Sequence, residues 1–245
     1  MSTNKRRYLL FLMILFLAVT GWYLYWDFSG FFASCGLYQP YPGNLIKRIN
    51  IMLATMMVWS AGKDRYDLTD NRRMKVIFLI LWGGEVSFLL GKTFAGIGFF
   101  ALCQFLLIRR NGRGLIRSLK CAGEKQKTKL KLLGFMIVCI PLVAVAFCYP
   151  LLRGHLFFIA LFYEVLLSIS LWVGLANYLI GLFPKKNAKM VALGMMCFYW
   201  SDFFMALGHI IEVNLVWLFV NSAIWILYTW ALLFLALSCY KYHST

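Results

Sequence analysis

Three carboxylates stand inside apolar stretches of this 245-residue chain: Glu85 in LWGGEVSFLLG, Glu164 in LFYEVLLS and Asp202 in CFYWSDFFMALGH. An ionised acid near the centre of a bilayer costs about 2.5–3.5 kcal/mol on insertion scales, so such residues face one another, a polar cavity or a reacting group. The cores of these runs hold no Lys or Arg to pair with them. Carboxyls so placed suit proton transfer, one keeping its proton as general acid and another, ionised, acting as base. They equally suit a proton or cation site in a transporter. Simple helix-tying normally uses Ser, Thr, Asn or Gln, which insert at lower cost. The expectation is therefore a functional site.

The elements that position these acids are membrane helices. Hydrophobic residues make up 62% of the chain and charged ones 14%, against about 25% charged in soluble domains. The apolar runs predict eight spans near 8–26, 45–61, 75–91, 93–108, 132–152, 155–181, 188–208 and 213–240. The first follows a basic head but ends in Trp22, Tyr23, Tyr25 and Trp26, an interfacial belt rather than a small-residue cleavage site, so it reads as a retained anchor. With the N-terminus cytoplasmic, all but four of the 25 Lys and Arg fall inside; Lys47, Arg48, Lys92 and Arg153 fall outside. The expected fold is all-α, a single integral-membrane domain with both termini cytoplasmic, in the plasma membrane. The net charge of +16 then marks topology at the anionic cytoplasmic surface and does not imply nucleic-acid binding.

This topology also sets depth. Glu85 and Asp202 each precede a glycine at the outer end of their helix by six residues (Gly91 and Gly208), about 9 Å. Glu164, counted from His155, lies roughly 13 Å deep, so all three acids fall in the outer half. The segments GEVSFLLG and SDFFMALG share a small residue, an acid, a leucine and a glycine at equal spacing. They lie 117 residues apart in the third and seventh spans, suggesting parallel repeats over 1–108 and 132–245 joined by the basic cytoplasmic loop 109–131. A fold of that kind places its site between the halves.

Two motifs carry a family resemblance. In ALGMMCFYWSD, Gly194, Phe198, Ser201 and Asp202 follow G-x-x-x-F-x-x-S-D, and GGEVSFLL is followed by GIGFFALCQF. Both resemble the YhhN/TMEM86 family of lysoplasmalogenases; the likeness covers mainly 80–108 and 163–232, and the motif around Asp202 is the more specific. The resemblance implies hydrolysis of the vinyl ether bond of lysoplasmalogen to a fatty aldehyde and a glycerophospho-alcohol. The family's paired aspartates fall on Glu85 and Asp202, and its frequent fourth-span histidine on Gln104. This chain thus carries Glu for Asp and Gln for His, keeps Tyr228, and has Leu232 where the family tends to glutamine. The implied chemistry protonates the alkene carbon and lets water capture the resulting oxocarbenium ion, with carboxylate roles like those in glycosidases.

The remaining candidates are substrate contacts. Lys47 and Arg48 are the best pair for the phosphate of a lysophospholipid, ahead of Lys92 and Arg153. Tyr163 is placed to donate to a carboxylate, and Ser201, Glu164 and Gln104 are expected to line the site. Seven cysteines show no CxxC or Cys/His spacing, and His155, His209 and His243 suit neither a metal nor a relay; no metal or other cofactor is expected. The partners expected are the lysophospholipid and membrane lipids. A proton- or cation-coupled transporter or lipid-binding protein is the alternative. It would be expected to break helices near the midplane, and of five prolines only Pro141 interrupts a span. A catalytically inactive relative is the third possibility.

Overall fold

A computed structural model describes residues 3–33, 43–148, 155–208 and 215–242. Cys35, Arg153, His209 and His243 lie outside them, as does the chain between the runs predicted to end at 152 and to begin at 155. Among the described residues there are nine α-helices and no strand: α1 (Thr3–Ala33), α2 (Gly43–Ser60), α3 (Leu68–Leu89), α4 (Thr93–Asn111), α5 (Leu115–Cys121), α6 (Glu124–Cys148), α7 (His155–Ile180), α8 (Lys185–Gly208) and α9 (Leu215–Leu237). Over its described residues each of the eight predicted apolar runs overlaps one of these helices; α5 is additional and lies inside the basic loop. Four of them contain segments long and apolar enough to cross a membrane: Asn4–Ser29, Thr93–Asn111, Leu161–Ile180 and Val216–Leu237. The outward faces are apolar, with Leu10, Phe11 and Ile14 of α1 and Phe158 and Phe162 of α7 all exposed. That is the pattern of helices solvated by lipid rather than water. The chain is an all-α, polytopic membrane protein.

The chain divides into two compact units, Met1–Asp67 with Met196–Thr245, and Leu68–Met195. In the first, α1, α2 and α9 pack on one another. Phe16 and Trp230 meet edge to face with centroids 6.3 Å apart, and Asn50 donates to the Thr20 hydroxyl at 2.8 Å. The chain after α9 is sewn to the turn after α2. Tyr66 N–H donates to Cys239 O at 3.0 Å, Lys241 N–H to Asp64 O at 2.7 Å, and the Tyr240 hydroxyl to Met57 O at 2.6 Å.

The second unit is built on the α3–α4 hairpin. Gly91, at φ +68°, turns the chain in a conformation that strains L side chains, and Lys92 N–H closes the turn on Ser87 O at 2.8 Å. The two helices then approach through glycine. A Cβ on Gly84 would stand 2.6 Å from the Phe100 ring, and one on Gly96 2.7 Å from the Phe88 ring. Helix α4 packs on α7, and α7 on α6, where the Trp172 indole donates to Leu130 O at 2.9 Å. Helix α5 turns Leu115 into a small core with Leu130, Val173 and Ala176.

Candidate functional site

Glu85 projects from α3 and is 4% exposed. Gln104 of α4 is fully buried, and among the described residues neither end of its amide has a hydrogen-bond partner. Tyr163 and Glu164 are half-buried on α7. Helix register relates these residues within their unit. Phe100 lies against Gly84 and Gly96 against Phe88, so the antiparallel pairing sets Glu85 level with about residue 99 of α4. Helices α4 and α7 meet near their C-terminal ends, where Asn177 Nδ2 donates to Asn111 O at 2.7 Å. Because they pack side by side with those ends together, they run parallel. That register brings residue 99 level with about 160–165 of α7, so Glu85 and Glu164 stand within roughly one turn of each other along the bundle.

Ser201 and Asp202 belong to the other unit, on the last turns of α8. Asp202 is 7% exposed and Ser201 fully buried, its hydroxyl donating to Ile224 O of α9 at 3.1 Å. One turn earlier, the motif phenylalanine Phe198 packs edge-on against Tyr228, centroids 5.7 Å apart. The G-x-x-x-F-x-x-S-D pattern is thus a packing motif as well as an acid carrier. Its Phe and Ser fix α8 on α9, and the acid follows directly on the anchored serine.

Lys47 sits in the first unit with an environment that its sequence position did not disclose. It is fully buried, its ammonium 2.8 Å from an Asp27 carboxylate oxygen and between the rings of Tyr23 (5.7 Å) and Trp225 (5.5 Å). Lys47, expected at a phosphate, is thus paired with an internal carboxylate. Arg48, half-buried, lies with its guanidinium carbon 5.9 Å from the same Trp225 ring. Sequence reasoning missed Asp27 because the first span was expected to end at Trp26, whereas α1 continues to Ala33.

It also missed a second buried pair. Arg110 was grouped with the basic loop, but α4 carries it inward to full burial. Its Nε and Nη2 donate to the two Asp70 carboxylate oxygens, each at 2.7 Å. The remaining charges of the loop stay at the surface. There Glu124 is held below the usual carboxylate range by a hydrogen bond from Lys127 at 2.8 Å. Among the described residues no group of three His, Cys, Asp or Glu is placed to hold a metal ion.

The helices and their buried acids define a class, an integral membrane protein with carboxylates enclosed among apolar helices. The particular family is given by comparison. The sequence model of the YhhN family matches residues 44–239, most of the chain, and the chain belongs to that family. Helix α1 precedes the matched region, though it supplies Asp27 and Thr20 to the interior of its unit. No curated protein and no solved structure matches the chain.

Proposed function

We propose that this chain is a membrane hydrolase that cleaves the vinyl ether bond of lysoplasmalogen. The observation that carries the reading is the burial of Glu85 and Asp202 on the two segments whose motifs resemble the family's paired acids. Vinyl ether hydrolysis needs a proton delivered to the alkene carbon remote from the ether oxygen. The resulting oxocarbenium ion is captured by water, and the hemiacetal collapses to aldehyde and glycerophospho-alcohol. In this proposal Glu85 donates the proton, while ionised Asp202 stabilises the cation and takes the proton of the attacking water.

Eight of the long helices cross the membrane with both termini cytoplasmic. Arg48 meets the phosphate with Lys47 behind it. Gln104, Tyr163, Glu164 and Ser201 hold the polar part of the lysolipid and the side chains that touch it.

The test is release of fatty aldehyde from lysoplasmenylethanolamine by the purified protein, with Asp202→Asn and Glu85→Gln alongside. Each variant is expected to lose at least about 100-fold in rate, the usual weight of a general acid or base. A well-folded wild type without turnover would overturn the proposal and turn attention to proton-coupled transport or ligand binding by the same acids.

A further inference from the structure

The seam between α4 and α7 carries a second polar arrangement that the acids do not explain. On α4, Gln104 lies seven residues before Asn111; on α7, Ser170 lies seven residues before Asn177. The Asn177 side-chain amide donates to the Asn111 backbone carbonyl at 2.7 Å, and this bond fixes the register. Seven residues are very nearly two turns, so Gln104 lies in line with Asn111 on α4 and Ser170 in line with Asn177 on α7, and the register sets the two at one level about 10 Å further along the seam. Both are fully buried.

Among the described residues, the Gln104 amide nitrogen and oxygen and the Ser170 hydroxyl have no hydrogen-bond partner. A helical serine usually turns its hydroxyl back to the carbonyl one turn earlier, as Ser87 does to Gly83 at 2.8 Å. Ser170 does not. Ser168, also buried, lies on the opposite face of α7 and takes no part.

We infer that Gln104 and Ser170 bind a hydroxylic group, water or the alcohol of a lysolipid, inside the second unit. Buried amides and hydroxyls are costly without partners. The group that satisfies these must both donate and accept. It donates to Gln104 Oε1 and accepts from Gln104 Nε2 or the Ser170 hydroxyl. Water has that valence and finds here the two to four polar partners a buried water needs; an alcohol has it as well. The seam continues in the same chemistry towards the helix ends, where Asn111 Nδ2 and Asn177 Oδ1 are likewise buried and without partners among the described residues. It is a polar file along the α4–α7 seam. The inference stands whether or not the chain is a hydrolase.

Selective labelling tests it, because the chain has only three glutamines: Gln39, Gln104 and Gln126. The full-length protein is reconstituted in lipid nanodiscs with side-chain ¹⁵N-glutamine, and Gln104 is assigned by loss of its signal in Gln104→Met. Should that variant fail to fold, Gln39→Asn and Gln126→Glu assign it by elimination. Magnetisation transfer from water to the Gln104 amide in the ligand-free protein identifies water as the occupant. No transfer, but a Gln104 shift on adding lysophosphatidylethanolamine, identifies the alcohol. In either case Ser170→Ala is expected to reduce the signal at least twofold. A Gln104 amide that shows neither effect, or is indifferent to Ser170→Ala, overturns the inference.

Discussion

Arg110→Met is expected to be among the most damaging single substitutions in this protein. The guanidinium is fully buried, donates twice to Asp70 at 2.7 Å, contacts Asn111 Oδ1 at 3.3 Å and stacks over Phe183 with 5.5 Å to the ring centroid. Asp70 is 3% exposed, so without Arg110 its charge is left where water does not reach. Breaking a buried pair by removing one partner costs about 3–5 kcal/mol. For a chain of this length each kcal/mol moves the midpoint by about 2–4 °C, giving a fall of roughly 6–20 °C. Asp70→Asn should fall comparably, because it strands the arginine. Arg110→Lys should also lose stability, since one ammonium cannot reproduce the two-point fork. Replacing both partners, as Asp70→Leu with Arg110→Met, should recover most of the loss. The assay is thermal unfolding in detergent followed by intrinsic tryptophan emission, for which the chain has nine reporters. Single variants within about 2 °C of wild type, or a double variant no better than the singles, would refute the reasoning.

The same logic applies in the other unit: Lys47→Met should cost about 3–5 kcal/mol in thermal or chemical unfolding, and adding Asp27→Asn should restore much of it. Gly84→Ala places a methyl group 2.6 Å from Phe100 and should destabilise the α3–α4 hairpin by about 1–3 kcal/mol, with Phe100→Leu as the compensating change. Ser201→Ala removes the link to Ile224 O and should cost about 1 kcal/mol in the same unfolding assay. Cys121, exposed at the end of α5, should react with a membrane-impermeant maleimide only in inverted vesicles; labelling from the outer face would reverse the proposed orientation.

The helices were legible because a bilayer makes apolar length and basic flanks nearly sufficient as signals. The run at 93–108 is α4 to Asn111, and that at 155–181 is α7. Two departures have physical causes. Aromatic residues at 22–26 looked like an interfacial end, but α1 runs on because Asp27 finds the Lys47 ammonium and so need not reach water. The short α5 hides in a basic loop, since only Leu115, with Leu119 partly buried beside the same core, anchors it, and no periodicity can emerge from seven residues.

The acids were legible from composition, Glu85 and Asp202 being polar points in apolar runs. The pairing of Asp70 with Arg110 was not, because forty residues separate two charges that each look solvated locally. The role of Ser201 as an anchor was equally invisible, for it depends on a carbonyl of α9. Nor does the sequence display the α4–α7 register, which the bond from the Asn177 side chain to the Asn111 carbonyl sets.

The most direct test of the hydrolase account follows a proton from solvent to product. Purified wild-type protein turns over lysoplasmenylethanolamine in D₂O, and the aldehyde is trapped at once by reduction to the alcohol. Protonation of the alkene carbon predicts one deuterium on the carbon adjacent to the former carbonyl, with the label and the turnover both lost in Asp202→Asn. Aldehyde without that deuterium, or no aldehyde from well-folded protein, would contradict the account.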